Sequence, residues 1–174
     1  KGCSLHCQWC ANPESINKDV ELGFISARCT RCRKCAPVCP EQAIALTPDG
    51  LPQIQRGRCN ACGKCVEVCP ADALALYGSE MTAGEVFKIV QRDLSFYQGS
   101  GGGVTLSGGE PLLQSPFAFA LFQLCREAGI YTAIESAGFI NPAILKAALP
   151  LTDYVLFDLK HMDPQTHRTS TGQS

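Results

Sequence analysis

The sequence predicts an α/β fold in which a small α+β module interrupts a series of alternating strands and helices. After Tyr77, apolar segments of strand length alternate with helical patterns, which is typical of a parallel sheet in a barrel or an open doubly wound fold. Before Tyr77, eleven of the twelve cysteines of this 174-residue chain lie in three short runs. Their gaps of two and three residues indicate ligands of a shared metal rather than disulfide partners.

The overall composition indicates a folded protein without a charge-driven partner. Apolar residues make up 45% of the chain, and 15 basic against 16 acidic side chains leave a net charge of -1. This balance gives no electrostatic sign of nucleic-acid binding or of attachment to a membrane surface. No apolar run approaches the roughly 18 residues that cross a bilayer, and no secretory signal is present. We therefore expect a cytoplasmic location.

The two ends of the sequence indicate a partial fold. Lys1 and Gly2 stand directly before the first cysteine, with no strand to support that loop. The sequence stops in a polar stretch from Thr169 to Ser174. We therefore expect a fold, either a barrel or an open sheet, that is truncated at both ends.

The first cysteine run, Cys3, Cys7 and Cys10, has the spacing C-x3-C-x2-C. A 4Fe-4S cube in a protein normally takes four thiolates. Three thiolates leave one iron without a protein ligand, as in catalytic metal sites that keep an open position. The run therefore predicts a catalytic cluster that an external ligand completes.

An internal duplication follows this run. The pattern C-x2-C-x2-C-x3-C-P occurs twice, thirty residues apart, and ends at Pro40 and Pro70. In bacterial two-cluster ferredoxins with this spacing, the fourth cysteine of each copy binds the cluster of the other copy. A zinc or disulfide knot is the alternative, but zinc sites usually pair two C-x2-C hooks across a longer gap. We assign one cube to Cys29, Cys32, Cys35 and Cys69, and the other to Cys59, Cys62, Cys65 and Cys39.

The duplicated runs belong to a module with short strands and many cations. Each run continues into a similar apolar segment, residues 43–46 and 73–76, and Asp49-Gly50 predicts a turn. The nearby cations either guide an acidic electron donor to the module or offset the charge of the thiolate cubes. The charge pattern leaves both interpretations open. These cations are Arg28, Arg31, Arg33, Lys34, Arg56 and Arg58.

The remaining residues predict alternating helices and strands. Thr82 and Glu85 form a capping box, which opens an amphipathic helix. Ser115 caps a second helix with Pro116 at its first position, and Asn141-Pro142 opens a third. The predicted elements are a helix over residues 82–97, a strand over 104–106, a helix from Ser115 to a stop at Gly129, a strand over 130–134, a helix over 141–149 and a strand over 153–159.

Polar side chains follow the ends of these predicted strands. In α/β folds, ligands bind at the edge where the carboxyl ends of the strands meet. One such residue alone is consistent with a surface charge, but three strand ends share the feature. No glycine-rich phosphate loop or dinucleotide motif accompanies them. The residues are Glu110, Glu135, Ser136, Asp158 and Lys160.

The order of these motifs resembles one family. Along the sequence stand C-x3-C-x-W-C, A-N-P-E-S, the two duplicated runs, G-V-T-L-S-G-G-E-P-L-L-Q, E-S-A-G and D-L-K. This series resembles the radical S-adenosylmethionine (SAM) enzymes, and more narrowly the activating enzymes of glycyl radical enzymes, of the pyruvate formate-lyase activating type with a two-cluster insert. The resemblance implies the cluster loop of a radical SAM barrel in residues 1–20, a ferredoxin-like insert in 21–77 and further βα units of the barrel in 78–174.

The resemblance also implies how SAM is bound. The amino and carboxylate groups of SAM complete the fourth iron of the first cluster. A carboxylate holds the methionyl ammonium in a charge-assisted pairing, a lysine approaches the SAM carboxylate, and an aromatic ring packs near the adenine. The implied residues are Cys3, Cys7 and Cys10 for the cluster, Gly108, Gly109 and Glu110 for the ammonium, Lys160 for the carboxylate and Trp9 for the adenine.

A monovalent-cation site beside SAM is a further implication. In a close relative group, the residues aligned with Glu135, Ser136 and Asp158 bind such a cation. Here Glu-Ser stands where Asp-Thr is commoner. A longer acid still offers oxygen ligands, but the coordination geometry changes.

The activity implied by the resemblance is the reductive cleavage of SAM. One electron from the first cluster yields methionine and a 5′-deoxyadenosyl radical, which takes hydrogen from a glycine of a partner glycyl radical enzyme. The implied cofactors are three 4Fe-4S clusters, SAM and the cation, with reduced flavodoxin or ferredoxin as electron donor. The insert clusters either relay electrons, which we favour, or stabilise the insert. A radical SAM enzyme with another substrate and a ferredoxin-type electron carrier are the alternatives.

Overall fold

A computed structural model describes residues 1–173 of the chain. The chain divides into two compact units. The smaller unit is Asp19–Ser79, and the larger unit combines Lys1–Lys18 with the residues from Glu80 onward. The smaller unit therefore interrupts the larger one in sequence.

The smaller unit contains two antiparallel strand pairs and a short helix. Strand β1 (Glu21–Phe24) pairs with β4 (Leu74–Tyr77), and β2 (Ile44–Leu46) pairs with β3 (Pro52–Ile54). Helix α1 is Lys64–Glu67. The two pairs are separate sheets, each of two strands.

The sequence pattern predicts the turn between β2 and β3 but not strand β1. The turn is confirmed, because Gly50 has a φ of +83° and donates its N–H to the Thr47 carbonyl at 2.8 Å. Strand β1 depends on a distant partner. A Cβ atom at Gly23 would lie 2.0 Å from Cε2 of Tyr77, so glycine allows the aromatic ring to pack on the strand.

The duplication extends to the backbone of the cysteine runs. Within residues 1–173, every non-glycine residue with a positive φ lies in one of these two runs or two residues after its final proline. Because left-handed backbone costs free energy when a side chain is present, the same strained loop path is built twice. The matching residues, thirty positions apart, are Arg31 (φ 57°) and Ala61 (53°), Arg33 (61°) and Gly63 (80°), and Gln42 (48°) and Asp72 (47°).

The larger unit is built on a parallel sheet. Its strands are β5 (Gly103–Leu106), β6 (Tyr131–Ser136) and β7 (Tyr154–Phe157), in the order β5-β6-β7. The parallel order confirms the predicted α/β class. All four residues of β7 are exposed, whereas β6 alternates buried and exposed positions.

Helices connect and follow these strands. Apolar side chains of these helices pack with those of β5 and β6 in two clusters. One cluster surrounds Leu121 and Cys125, and the other surrounds Leu112 and Phe122. Cys125 is fully buried, as its apolar neighbours predict. The helices are α2 (Ala83–Val90), α3 (Leu94–Ser100), α4 (Ser115–Glu127), α5 (Pro142–Ala148) and α6 (Pro164–Thr171).

The predicted helix over residues 82–97 is interrupted. Its capping box is confirmed, because Thr82 N donates to Glu85 Oε2 at 2.8 Å and Glu85 N donates to Thr82 Oγ1 at 3.2 Å. A 3-10 turn over Gln91–Asp93 then separates α2 from α3. This tighter turn redirects the chain so that Leu94 packs against the same apolar cluster as α2.

The start of α4 also differs from the prediction. Ser115 is the first residue of the helix rather than its cap, because a 3-10 turn over Pro111–Gln114 leads directly into it. The predicted stop is confirmed: Gly129 has a φ of +69° and donates its N–H to the Arg126 carbonyl at 3.0 Å. No helix in the described part of the chain is long and apolar enough to cross a membrane.

Candidate active site

The loop of the first cysteine run starts beside a neighbouring turn of the chain. Gly2 N donates to the Ser15 carbonyl at 2.8 Å, and Cys3 N donates to the Ile16 carbonyl at 2.9 Å. Both carbonyl groups belong to the end of a 3-10 turn over Pro13–Ser15. They hold the backbone of the first predicted cluster ligand.

The middle of the same loop is held by the end of α6. The last turn of an α-helix leaves carbonyl groups without partners inside the helix. Here His6 N donates to the Thr171 carbonyl at 2.7 Å and Gln8 N donates to the Ser170 carbonyl at 2.9 Å. The Gln8 side chain adds a bond from Nε2 to the Thr169 carbonyl at 3.1 Å. One helix terminus therefore supports the segment between Cys3 and Cys10.

The predicted ammonium-binding element lies directly against this cysteine loop. Glu110 N donates to the Gly2 carbonyl at 2.7 Å, and Gln114 Nε2 donates to the Lys1 carbonyl at 2.6 Å. A Cβ atom at Gly109 would lie 2.0 Å from the Gly2 carbonyl oxygen. The close approach of the two backbones therefore requires glycine at this position.

The Glu110 side chain turns inward from this element. Its exposed fraction is 2%. Oε1 accepts a hydrogen bond from Leu112 N at 3.3 Å, and Oε2 accepts bonds from Ser136 Oγ at 2.8 Å and from Ala137 N at 3.3 Å. The carboxylate therefore joins the loop after β5 to the end of β6, and its role toward an ammonium group stays a prediction.

Lys160 and Asp158 lie beside the first cysteine run. Lys160 Nζ forms an ion pair with Asp158 Oδ2. Burial acts to lower the pKa of Lys160, but Asp158, together with Cys7 and Cys3, raises it above its usual value. Burial raises the pKa of Cys7, the Lys160 ammonium lowers it, and the thiols of Cys3 and Cys10 raise it further. A cation, a carboxylate and three thiols thus act on one another at this site.

The three residues of the implied cation site have different partners. Glu135 is exposed and accepts a hydrogen bond from Ser107 Oγ at 2.5 Å. Ser136, the next residue of the strand, points to the opposite face of the sheet and binds Glu110. Asp158 donates its N–H to the Ser136 carbonyl at 3.0 Å, while its carboxylate pairs with the lysine. The cation site stays a prediction.

The remaining predicted SAM contacts are open to solvent. Trp9 is 52% exposed, and Cys3, Cys7 and Cys10 are partly exposed. The exposed indole leaves apolar surface for a ligand to cover. Its role at the adenine stays a prediction.

The eight cysteines of the duplicated runs line two cavities of the smaller unit. We call them the first-copy cavity and the second-copy cavity. Each receives three cysteines from one copy and the fourth from the other. The first-copy cavity is lined by Cys29, Cys32, Cys35 and Cys69, and the second-copy cavity by Cys59, Cys62, Cys65 and Cys39.

The chemistry of these thiols fits an iron–sulfur cluster in each cavity. Burial raises the pKa of Cys65 to about 11 and raises that of Cys35 above its usual value. Buried thiols of this kind become thiolates when a metal binds them. Cys39 Sγ and Cys69 Sγ each accept a backbone N–H, from Ala43 at 3.2 Å and from Ala73 at 3.3 Å, and such bonds stabilise cluster sulfurs.

The thiols of each cavity are not placed around a single metal ion. Within residues 1–173, no group of three or more His, Cys, Asp or Glu side chains has the spacing to share one ion. In a cube, each cysteine binds a different iron, so the sulfur atoms lie farther apart than the ligands of one ion. Cluster binding at both cavities stays a prediction.

Sequence reasoning missed the support that Gln8 and α6 give to the cysteine loop. A local signal for α6 was present, because Asp163 and Pro164 form a cap and a first helical position. The Asp163 carboxylate accepts the Thr166 N–H at 2.8 Å. The contact of Gln8 with this helix joins residues more than 160 positions apart, and no local pattern predicts it.

Comparison with known proteins finds similar activating enzymes. The chain is 46% identical to the isethionate sulfite-lyase activating enzyme of Desulfovibrio desulfuricans, over 99% of this chain and 56% of the relative. It is 42% identical to the (2S)-3-sulfopropanediol dehydratase activating enzyme of Klebsiella oxytoca, over 100% and 56%. It is 37% identical to the choline trimethylamine-lyase activating enzyme of Oleidesulfovibrio alaskensis, over 99% and 56%. The chain spans a little over half the length of these relatives.

The family assignment rests on the whole chain. The sequence pattern of the Radical SAM superfamily matches residues 1–174. The match includes the three-cysteine loop and the glycine-rich element that packs against it through Gly2 and Gly109. The chain belongs to the radical SAM superfamily.

Proposed function

We propose that the protein containing this chain activates a glycyl radical enzyme by reductive cleavage of SAM. The observation that carries the proposal is the meeting of three predicted elements. The backbone of Gly109 and Glu110 contacts the first cysteine loop, and Lys160 acts electrostatically on Cys7. Relatives that are 37–46% identical carry the names of such activating enzymes, which supports the same activity here.

The residues of the larger unit would hold a cluster and SAM together. Cys3, Cys7 and Cys10 would ligate three irons and leave the fourth for the amino and carboxylate groups of SAM. When bound, a reduced 4Fe-4S cluster supplies the electron that cleaves SAM, and the resulting 5′-deoxyadenosyl radical takes a hydrogen atom from a glycine of the partner. The partner is therefore a glycyl radical enzyme.

The protein groups around this site act by position and charge. Lys160, held by its pairing with Asp158, offers a cation to the SAM carboxylate. Gly108 and Gly109 offer backbone groups to the methionyl ammonium, and the buried Glu110 carboxylate fixes the loop that presents them. Trp9 covers the adenine. In this arrangement Glu110 acts on SAM through the loop as well as through its charge.

The proposal also includes a monovalent cation beside SAM. Glu135 and Ser136 end β6, Asp158 follows the neighbouring β7, and all three supply oxygen atoms, which such cations prefer. The Glu135 carboxylate would have to exchange its present bond with Ser107 for the cation.

The smaller unit would hold two more 4Fe-4S clusters, one in each cavity. We infer that they relay electrons to the first cluster from reduced flavodoxin or ferredoxin. A purely stabilising role for the two clusters is the alternative. A Cys32→Ala variant tests the relay: SAM cleavage should slow with a protein donor and less so with a strong artificial reductant. An equal loss with both reductants would contradict the relay.

The decisive experiment uses the full-length protein, reconstituted with iron and sulfide without oxygen. Electron paramagnetic resonance of the reduced protein should change when SAM is added, and mixing with a glycyl radical enzyme should produce a glycine-centred signal. An isethionate sulfite-lyase and a choline trimethylamine-lyase are the first partners to compare. Both responses should vanish in Cys7→Ala and persist in Cys125→Ala, which removes a buried thiol of an apolar cluster that is not a predicted ligand.

The outcomes separate the alternatives. A spectral change with SAM but no glycine-centred signal from any partner would favour a radical SAM enzyme with another substrate. Cluster signals that do not change when SAM is added would favour the ferredoxin-type carrier. The second result would contradict the proposed activity altogether.

A further inference from the structure

The residues that line the two cluster cavities of the smaller unit differ in one charged side chain. Arg33 follows the second cysteine of the first copy and lines the first-copy cavity. Gly63 holds the same position in the second copy and lines the second-copy cavity. Both residues have a left-handed backbone, with φ of 61° and 80°. The same loop path therefore presents a guanidinium to one cavity and no side chain to the other.

The Arg33 side chain is exposed, and its guanidinium lies over the backbone of Gly50 at the cavity. A Cβ atom at Gly50, which lines the same cavity, would lie 3.1 Å from Arg33 Nε and 3.4 Å from its Nη2. In the part of the chain that the structure describes, no carboxylate forms an ion pair with Arg33. Arg31, by contrast, has Asp49 Oδ2 at 4.0 Å. The charge of Arg33 therefore acts on the cavity without a direct counterion.

The other charges near the two cavities are more evenly matched. Asp72 acts on Cys69 of the first-copy cavity. Glu41 accepts a hydrogen bond at 3.2 Å from Asn60, which lines the second-copy cavity. Asp49 adjoins Gly50 of the first-copy cavity and is paired with Arg31, whose counterpart in the second copy is Ala61. Two cations occur in both copies at equal positions, Arg28 with Arg58 and Lys34 with Lys64.

We propose that Arg33 raises the reduction potential of the cluster in the first-copy cavity above that of the cluster in the second-copy cavity. Reduction adds one negative charge to a cluster, and a nearby cation favours that state. The two clusters are then unequal electron acceptors, and the first-copy cluster is reduced first. This inference rests on the part of the proposed function that assigns clusters to the insert, and it does not depend on SAM cleavage.

The test is a redox titration of the full-length protein with Cys3, Cys7 and Cys10 replaced by Ala, which leaves the two insert clusters. Electron paramagnetic resonance follows each cluster as dithionite is added. In Arg33→Gly, the midpoint potential of the cluster that is reduced first should fall by about 59 mV for one electron. At a given potential, the ratio of reduced to oxidised cluster then drops about tenfold. The other midpoint should stay within a small fraction of that change.

Two further variants separate charge from structure. Glycine suits the left-handed backbone of position 33, so Arg33→Gly should keep the fold. Arg33→Lys keeps the charge and should retain most of the higher potential. Lys34→Ala removes one charge from the adjacent residue, which does not line the cavity, and should shift either midpoint by less.

Three results would overturn the inference. They are unchanged midpoints in Arg33→Gly, an equal fall of both midpoints, or a Lys34→Ala shift as large as that of Arg33→Gly. If iron and sulfide analysis finds less than two clusters in the parent protein, the inference fails together with the cluster assignment of the insert. A full complement of clusters with no selective shift contradicts the inference alone.

Discussion

The two units of this chain are stabilised by different means. The larger unit has apolar clusters in which α4 and β6 meet, with side chains such as Phe122 and Ile134 almost fully buried. The buried cluster of the smaller unit consists of three aliphatic residues and two of the predicted ligands, Cys35 and Cys65. Burial of apolar surface can account for the first unit. The second depends much more on what its cysteines bind.

The backbone supports the same contrast. The smaller unit contains the left-handed residues that carry a side chain, and they lie beside its cavities. Such residues persist where the surroundings determine the conformation strongly. Bound clusters would provide that constraint, because metal binding supplies free energy of folding in small metal-binding domains.

Removal of metal should give the largest difference between the two units. After anaerobic chelation of the full-length protein, amide hydrogen exchange in β1–β4 should accelerate about 100-fold or more, equivalent to about 2.7 kcal/mol. Exchange in α4 and β6 should change by less than about threefold, because their contacts are apolar. Equal acceleration in both units would contradict the contrast, as would unchanged exchange in the smaller unit.

Crowding the contact between the cysteine loop and the glycine-rich element should have the next largest effect. In Gly109→Ala, the new methyl group would meet the Gly2 carbonyl oxygen, which is backbone and cannot turn away. We expect a loss of about 2.5 kcal/mol in the free energy of unfolding, and at least about tenfold weaker SAM binding. Thermal unfolding and SAM titration measure the two effects.

The matched control for this variant is Gly99→Ala in α3. A Cβ atom there has no neighbour within 4 Å, and alanine is favoured over glycine inside a helix. We expect unchanged or slightly higher stability and unchanged SAM binding. Similar losses in both variants would mean that the effect of Gly109→Ala is not specific to the contact.

Local signals in the sequence predict much of the larger unit, but its site depends on distant contacts. The capping box of Thr82 and the stop at Gly129 require only neighbouring residues, so they could be predicted. The break at Gln91 and strand β1 depend on packing against remote segments, which no short pattern encodes. For the same reason, the sequence predicts Glu110 as a ligand but not the bond from Ser136 that turns its carboxylate inward.

Removal of the Glu110 charge should have an intermediate effect. Glu110→Gln keeps the size of the side chain, but its amide NH2 group replaces one of the two carboxylate oxygens. The NH2 group would then face either Leu112 N or the two donors Ser136 Oγ and Ala137 N. We expect a loss of about 2 kcal/mol in the free energy of unfolding, because a buried donor then lacks an acceptor. Glu135→Gln, an exposed control, should cost less than about 0.5 kcal/mol. Denaturant unfolding measures both changes, and equal costs would argue against the buried network.

Loss of the Gln8 side chain should give the smallest effect and sharpen the contrast between the two kinds of cysteine loop. The loops of the smaller unit follow a strained backbone, whereas the loop of the larger unit is held by the carbonyl groups at the end of α6. Gln8→Ala removes one of these bonds, so we expect about 1 kcal/mol less local stability, seen as about fivefold faster amide exchange in residues 3–10. Gln123→Ala, which removes an exposed bond within α4, should leave that exchange unchanged. If exchange in residues 3–10 is equally slow in both variants, the backbone bonds from His6 and Gln8 are sufficient to hold the loop.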